Sequence, residues 1–344
     1  MRREWLSGWM LTGAIVFCMV STGSAVSFAR ANGEILAQNG NENAGRTLQA
    51  AGWRREQTDT GALHGGRLYG ERQIQESSLS LTFTDEETGL KIPLPPKLEE
   101  KDILMENYYE TQDILLIFPG DVRGFFENHV LAGNPEQVQE AYLSWQDEAT
   151  WLRIRLRDVY EYQCRAEGEA IVLALEKPSD LYDSMVILDG DGGGEQVWDM
   201  MERVQARLEP EGIGVYCTGA QGSGLTEYDR AAFAAQLRAD LVIGLRTASQ
   251  AGEPYGLCIL YNSKYFIPCF GNAQLALVLQ QHIGGAYLAE GEEDPFLANI
   301  RVPAAALVMD DGMQALLAEE AYREKIADAI AEAIMEALAG IQIS

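Results

Sequence analysis

Residues 185–219 read MVILDGDGGGEQVWDMMERVQARLEPEGIGVYCTG, and this stretch decides the fold. Met185–Leu188 is a wholly apolar run of the kind buried on both faces of a sheet. A loop, Asp189–Gly194, follows it. Val197, Met201, Val204 and Leu208 then recur at spacings of three and four, which predicts a helix with one buried stripe. Gly212 ends that helix, and Ile213–Cys217 is a second strand. The unit repeats toward the C-terminus: a helix over Glu227–Arg238 with Phe233 and Leu237 inward, then a strand at Leu241–Leu245. A hairpin-like pair around Cys258–Phe266, a helix over Ala273–His282 and a strand at Ala305–Val308 come next. Tyr322, Ile326, Ile330, Ile334 and Leu338 recur every four residues, predicting a long amphipathic helix that closes before Gly340. This order predicts an α/β domain over residues 181–344: a mainly parallel sheet with helices on both faces. Its chemistry is expected at the carboxyl ends of the strands.

Toward the N-terminus the period changes from helical to alternating. Residues 71–180 read as a small β-rich domain. Ser78–Phe83 alternates, as does Trp151–Arg157, with Leu152, Ile154 and Leu156 on one face and three arginines on the other. Ala170–Leu175 follows a turn at Glu167–Glu169, so residues 151–176 are expected to form a hairpin or neighbouring strands. Ile114–Phe118 is a further strand, and the whole suggests a small antiparallel sheet or sandwich. Residues 32–70 are rich in Gly, Asn, Gln and Thr without a sustained period, and read as a flexible linker. Residues 1–31 hold Arg2 and Arg3, an uncharged run from Trp9 to Val20, and the small-x-small triplet Ala29-Arg30-Ala31. That is the pattern of a cleaved signal peptide, with an uncleaved signal anchor as its rival; a lipoprotein site at Cys18 is disfavoured by the bulky Phe17 before it. Either way the remainder is expected outside the membrane, touching it only through this segment if it stays uncleaved.

The chain has 344 residues with 52 acidic against 26 basic side chains, a formal net charge of −26. So acidic a surface repels phosphate backbones and anionic lipid, which argues against nucleic acid as a partner. Cys164, Cys217, Cys258 and Cys269 fall in no CxxC or CxxH spacing, which argues against a zinc knuckle. Export permits a disulfide, and Cys258 and Cys269 could meet across a hairpin; four free thiols are the other reading.

The ordered motifs of the C-terminal half resemble those of the zinc-dependent N-acetylmuramoyl-L-alanine amidases of the bacterial cell wall, the amidase-3 family. Leu188–Gly194 follows in outline the family's strand and D-P-G-H-G-G, and Leu208–Gly219 its L-E-x-x-G-x-x-V-x-x-T-R. Arg230–Ala235 and Ala239–Ser249 resemble the E-R-x-x-x-A-N helix and the A-D-L-x-x-S-I-H-A-N strand. Val302–Met309 and Tyr322–Ile334 resemble the closing strand and helix. The resemblance spans about 160 residues, and the β-rich segment before it suits a family whose members often carry a small wall-docking domain.

The departures from the pattern fall on the chemistry. The family holds zinc with two His and a Glu and uses a further Glu on the attacking water. Here the first His position falls on Gly192, beside Asp191, and the second on Arg246. The catalytic Glu falls on Met309, or on Val308 if the alignment shifts, with Asp310 adjacent. Glu195 is the nearby candidate for the metal-binding Glu. A guanidinium is a fixed cation and would repel Zn²⁺, so no catalytic residue, metal ligand or cofactor is expected. Asp189, Asp191, Glu195, Arg246 and Asp310 remain as a vestigial or binding set. Arg246 is expected either to pair with Asp189, Asp191 or Asp310 in place of the metal, or to point to solvent. A calcium loop from Asp189 fails at its twelfth position, Met200, and a dinucleotide loop fails where Glu195 replaces the last glycine. Ser223 and Ser249 lack a nucleophile-elbow context. The implied function is an exported, enzymatically inactive amidase-like protein that binds peptidoglycan or regulates a cell-wall hydrolase. An active amidase using Asp191, Glu195 and Asp310 as an unusual metal set, and a structural part of an exported assembly, are the alternatives.

Overall fold

The computed structural model describes residues 77–79, 81–83, 89–190, 194–219, 225–248, 256–264, 267 and 269–343. The expected signal segment, the linker, Asp191, Gly192, Ser223 and Ser249 lie outside these residues.

The N-terminal part is a two-sheet sandwich. Its strands are Ser77–Ser78 (β1), Leu81–Phe83 (β2), Gly89–Pro93 (β3), Leu104–Tyr108 (β4), Asp113–Pro119 (β5), Leu131–Gly133 (β6), Val138–Gln146 (β7), Ala149–Leu156 (β8), Glu161–Glu167 (β9) and Ala170–Glu176 (β10). One sheet runs β1-β7-β8-β5-β4 and the other β2-β6-β3-β10-β9. The inward residues of both, among them Ile92, Ile114, Leu152, Ile154, Ile171 and Leu173, form one apolar core.

Residues 151–176 do not form a single set of neighbouring strands. β9 and β10 do form a hairpin, but β8 lies in the other sheet, paired with β7 and β5. The β7–β8 hairpin turns at Asp147 and Glu148, both at positive φ (51° and 60°). Such turns favour Asn, Asp or Gly followed by Gly, so Glu148 in the second position leaves only half of the usual signal in the sequence. A register shift between Val138 and Glu140 also breaks the alternation of β7. Ser78–Phe83 proves to be two strands in different sheets.

The second part is a six-stranded sheet of Ser184–Asp189 (β11), Ile213–Thr218 (β12), Leu241–Ala248 (β13), Leu257–Tyr261 (β14), Tyr287–Glu290 (β15) and Ala304–Asp310 (β16), ordered β12-β11-β13-β16-β14-β15. All neighbours run parallel except β14 and β16. The hairpin expected around Cys258–Phe266 is thus a lone strand, β14, paired with segments distant in sequence. Cys258 is buried and Cys269 exposed, and no disulfide joins the described cysteines to one another.

The helices Glu195–Leu208 (α1), Asn272–Ile283 (α3) and Glu320–Ile343 (α4) cover one face, their apolar stripes meeting Leu188, Leu245, Leu307 and Met309. Glu227–Leu237 (α2) covers the other face together with Phe296 and Ile300. The closing helix runs past Gly340, where a missing side chain admits the ring of Phe270: a Cβ there would sit 3.1 Å from it. Among the described residues no helix is long and apolar enough to cross a membrane.

Gly89 opens β3 at φ 141°, where a Cβ would fall 1.9 Å from the carbonyl oxygen of Leu173 on β10. Gly89→Ala is therefore expected to lower stability by about 1–3 kcal/mol or more through forced backbone movement. A denaturant titration followed by tryptophan fluorescence measures it.

Candidate functional site

Strand alternation decides which side chains gather at the carboxyl ends of the parallel strands. Asp189, Thr218 and Arg246 follow Ile187, Tyr216 and Val242 on the face covered by α2. Leu188, Leu245 and Met309 point the other way, into the core under the three helices.

Asp189 is fully buried. Its Oδ1 accepts from Arg230 Nε at 2.7 Å and from the Thr218 hydroxyl at 2.8 Å, and its Oδ2 lies 3.5 Å from Arg230 Nη2. Burial pushes the Asp189 carboxyl above its usual range, while Arg230, Thr218 and Arg246 pull it back. Arg230 belongs to α2 and is itself buried. It shares the inward stripe with Ala231, Phe233, Ala234 and Leu237, a position that calls for a buried counterion.

Arg246 is ion-paired with Asp294, whose Oδ1 lies 3.5 Å from Arg246 Nη2 and also caps the backbone N–H of Leu297 at 2.8 Å. Of the expected partners, Asp189 is near enough to feel the charge of Arg246 and Asp191 lies outside the described residues; the described structure adds Asp294. The guanidinium carbons of Arg230 and Arg246 each lie 5.6 Å from the centroid of the buried Phe296 ring.

Asp310 stands at the same strand ends, but its carboxylate accepts from the backbone N–H of Gly256 at 2.9 Å and from that of Gly312. Glu195 is exposed in the first turn of α1. Met309 is wholly buried on the opposite face, whereas Val308 pairs in register with Arg246. The described histidines lie elsewhere: His282 sits on α3 against Glu332 and Glu336, and His129 in the sandwich bonds the Phe125 carbonyl. Among the described residues no three His, Cys, Asp or Glu side chains are grouped as a metal set.

Four residues of this cluster went unmarked in the sequence: Arg230, Thr218, Asp294 and Glu110. A signal existed for Arg230, a charge set in an apolar stripe. Glu110 comes from the sandwich, in the turn Tyr109–Thr111 after β4. It accepts from the backbone N–H of Gly219, just past β12, and desolvation, followed by the nearby charge of Asp189, pushes its carboxyl up to about 8. No local pattern could place it there.

Arg230→Met leaves the Asp189 charge buried without its cation. It is expected to cost about 3–5 kcal/mol, and the double variant with Asp189→Asn to recover part of that loss. A double-mutant cycle of chemical denaturation reads both.

No protein-family model matches the chain, and no curated protein matches it. Among solved structures it is similar to the N-acetylmuramoyl-L-alanine amidase AmiC2 of Nostoc punctiforme at 18% identity and a TM-score of 0.38, over 45% of this chain and 97% of that one. It is similar to the N-acetylmuramyl-L-alanine amidase Ami1 from Mycobacterium smegmatis at 19% identity and a TM-score of 0.39, over 46% and 98%. It is also similar to the CwlD amidase from Clostridioides difficile, solved in complex with the GerS lipoprotein, at 15% identity and a TM-score of 0.38, over 46% and 99%. Each of these matches spans less than half of this chain and nearly the whole of the other.

Proposed function

We propose that this chain is an exported cell-envelope protein whose amidase-like domain binds peptidoglycan or regulates a wall hydrolase without hydrolysing the wall itself. The observation that carries this reading is the mutual neutralisation of charge at the strand ends, Asp189 by Arg230 and Arg246 by Asp294. Zinc takes neutral imidazoles and free carboxylates and keeps one position open to water. These groups do not fit it. Arg246 is a permanent cation, the Asp189 carboxylate is held by Arg230 and Thr218, and the Asp310 carboxylate holds two backbone amides. Export rests on the N-terminal apolar run, and a wall ligand on the ordered motif resemblance; a fold by itself hosts many functions.

The test is made on the protein purified without chelator and then dosed with zinc, with metal counted per chain. Purified wall material is mixed with the same preparation and assayed for retention and for released stem peptide. Retention without release, and no stoichiometric zinc, is expected. Tightly held zinc with metal-dependent release would overturn the reading in favour of an active amidase, to be followed by Asp191→Asn, Glu195→Gln and Asp310→Asn. Neither retention nor release would point to a structural part in an exported assembly.

A further inference from the structure

The sandwich reaches the strand-end site through the turn Tyr109–Thr111. Tyr109 is buried edge-on against Tyr216 of β12, with ring centroids 5.1 Å apart and planes at 88°. Both phenols donate to the buried carboxylate of Glu161 on β9, Tyr109 at 2.8 Å and Tyr216 at 2.7 Å. Val159, from the loop before β9, joins the same apolar cluster as Phe233 and Leu237 of α2. Gln112 donates to Gln236 at 3.2 Å. Within this frame Glu110 is set against the end of β12, and its Oε1 is shielded from solvent without a hydrogen-bond partner among the described residues.

We propose that the turn Tyr109–Thr111 is a latch that the sandwich lays across the carboxyl end of β12, gating the strand-end site. The proposal rests on the reading that the amidase-like domain meets its ligand at those strand ends. Among the described residues Asp189 is paired with Arg230 and Asp294 with Arg246, so an ionised Glu110 is a further negative charge beside buried Asp189. The charged groups facing it are Asp189 on β11, and Asp229 and Arg230 on α2. Glu161 is engaged by the two phenols, and Arg246 acts on Asp189. Desolvation dominates, so the latch closes with Glu110 protonated. A carboxyl raised from its ordinary value to about 8 contributes stability that is full below about 4.5 and is lost progressively as pH rises to about 8. The latch therefore loosens with rising pH.

Hydrogen exchange of the full chain, followed by mass spectrometry over residues 108–112 and 213–219 and corrected for intrinsic exchange rates, reads the opening. Its opening constant is expected to rise on the order of 10²-fold between pH 5 and pH 8. Glu110→Gln is expected to exchange alike at both pH values, and to hold less wall material at pH 8 than the unmodified protein does. A flat response of the unmodified protein would overturn the latch, as would an equal rise in Glu110→Gln. If wall material is not retained at all, the functional reading fails, while the exchange measurement still decides the latch.

Discussion

The carboxylate of Asp189, buried at the end of a central strand, imposes the arrangement around it. An isolated ion in that position is costly by several kcal/mol even after relaxation, so a cation must be brought to it. Arg230 supplies the charge from α2, and Thr218 supplies a second donor from the neighbouring strand. The demand then propagates. Arg230 lies by the ring of Phe296, Arg246 lies at the same distance from that ring, and Asp294, two residues before it, neutralises Arg246. A buried ion, its partner, an aromatic ring and a second ion pair thus fix how α2 and the 294–300 turn sit on the sheet.

The sandwich is tied into the same face. Tyr109 and Val159 belong to the apolar cluster of Ile187, Tyr216 and Phe233, so part of the core of the α/β part comes from the preceding part of the chain. Apolar contact of that kind is indifferent to pH, whereas the polar contacts beside it are selective. Two phenols converge on the Glu161 carboxylate, and burial of Glu110 favours its protonated form.

Much of the α/β half was legible because helices and parallel strands write their burial into local period. Val197, Met201, Val204 and Leu208 are all buried where their spacing put them, and MVIL and LVIGL are central strands. The ends of the elements drifted by a few residues, and α4 ran through Gly340 because Phe270, distant in sequence, fills the space a side chain would need. The sandwich was less legible. Its β7–β8 turn lacks glycine, and a bulge hides the alternation of β7. At the site, Asp189, Arg246 and Asp310 could be placed at strand ends by counting, but their partners could not. Asp294, Gly256 and Glu110 arrive from loops and from the sandwich, where no period operates.

Alternation also separates two placements that the motif resemblance leaves open. In β16, Met309 points into the apolar core under three helices, and Val308 stands opposite Arg246 in the ladder. A carboxylate at 309 would be buried among Leu188, Leu245 and Leu307 without a donor; one at 308 would share the face of Arg246. On the proposed reading, the chemistry of a metal site is thus several steps away rather than one. An imidazole at 246 would leave Asp294 without its cation, and a carboxylate at 308 would add negative charge to a cluster that already holds Asp189, Asp294 and Glu110. Each change would disturb the two ion pairs that the described side chains form.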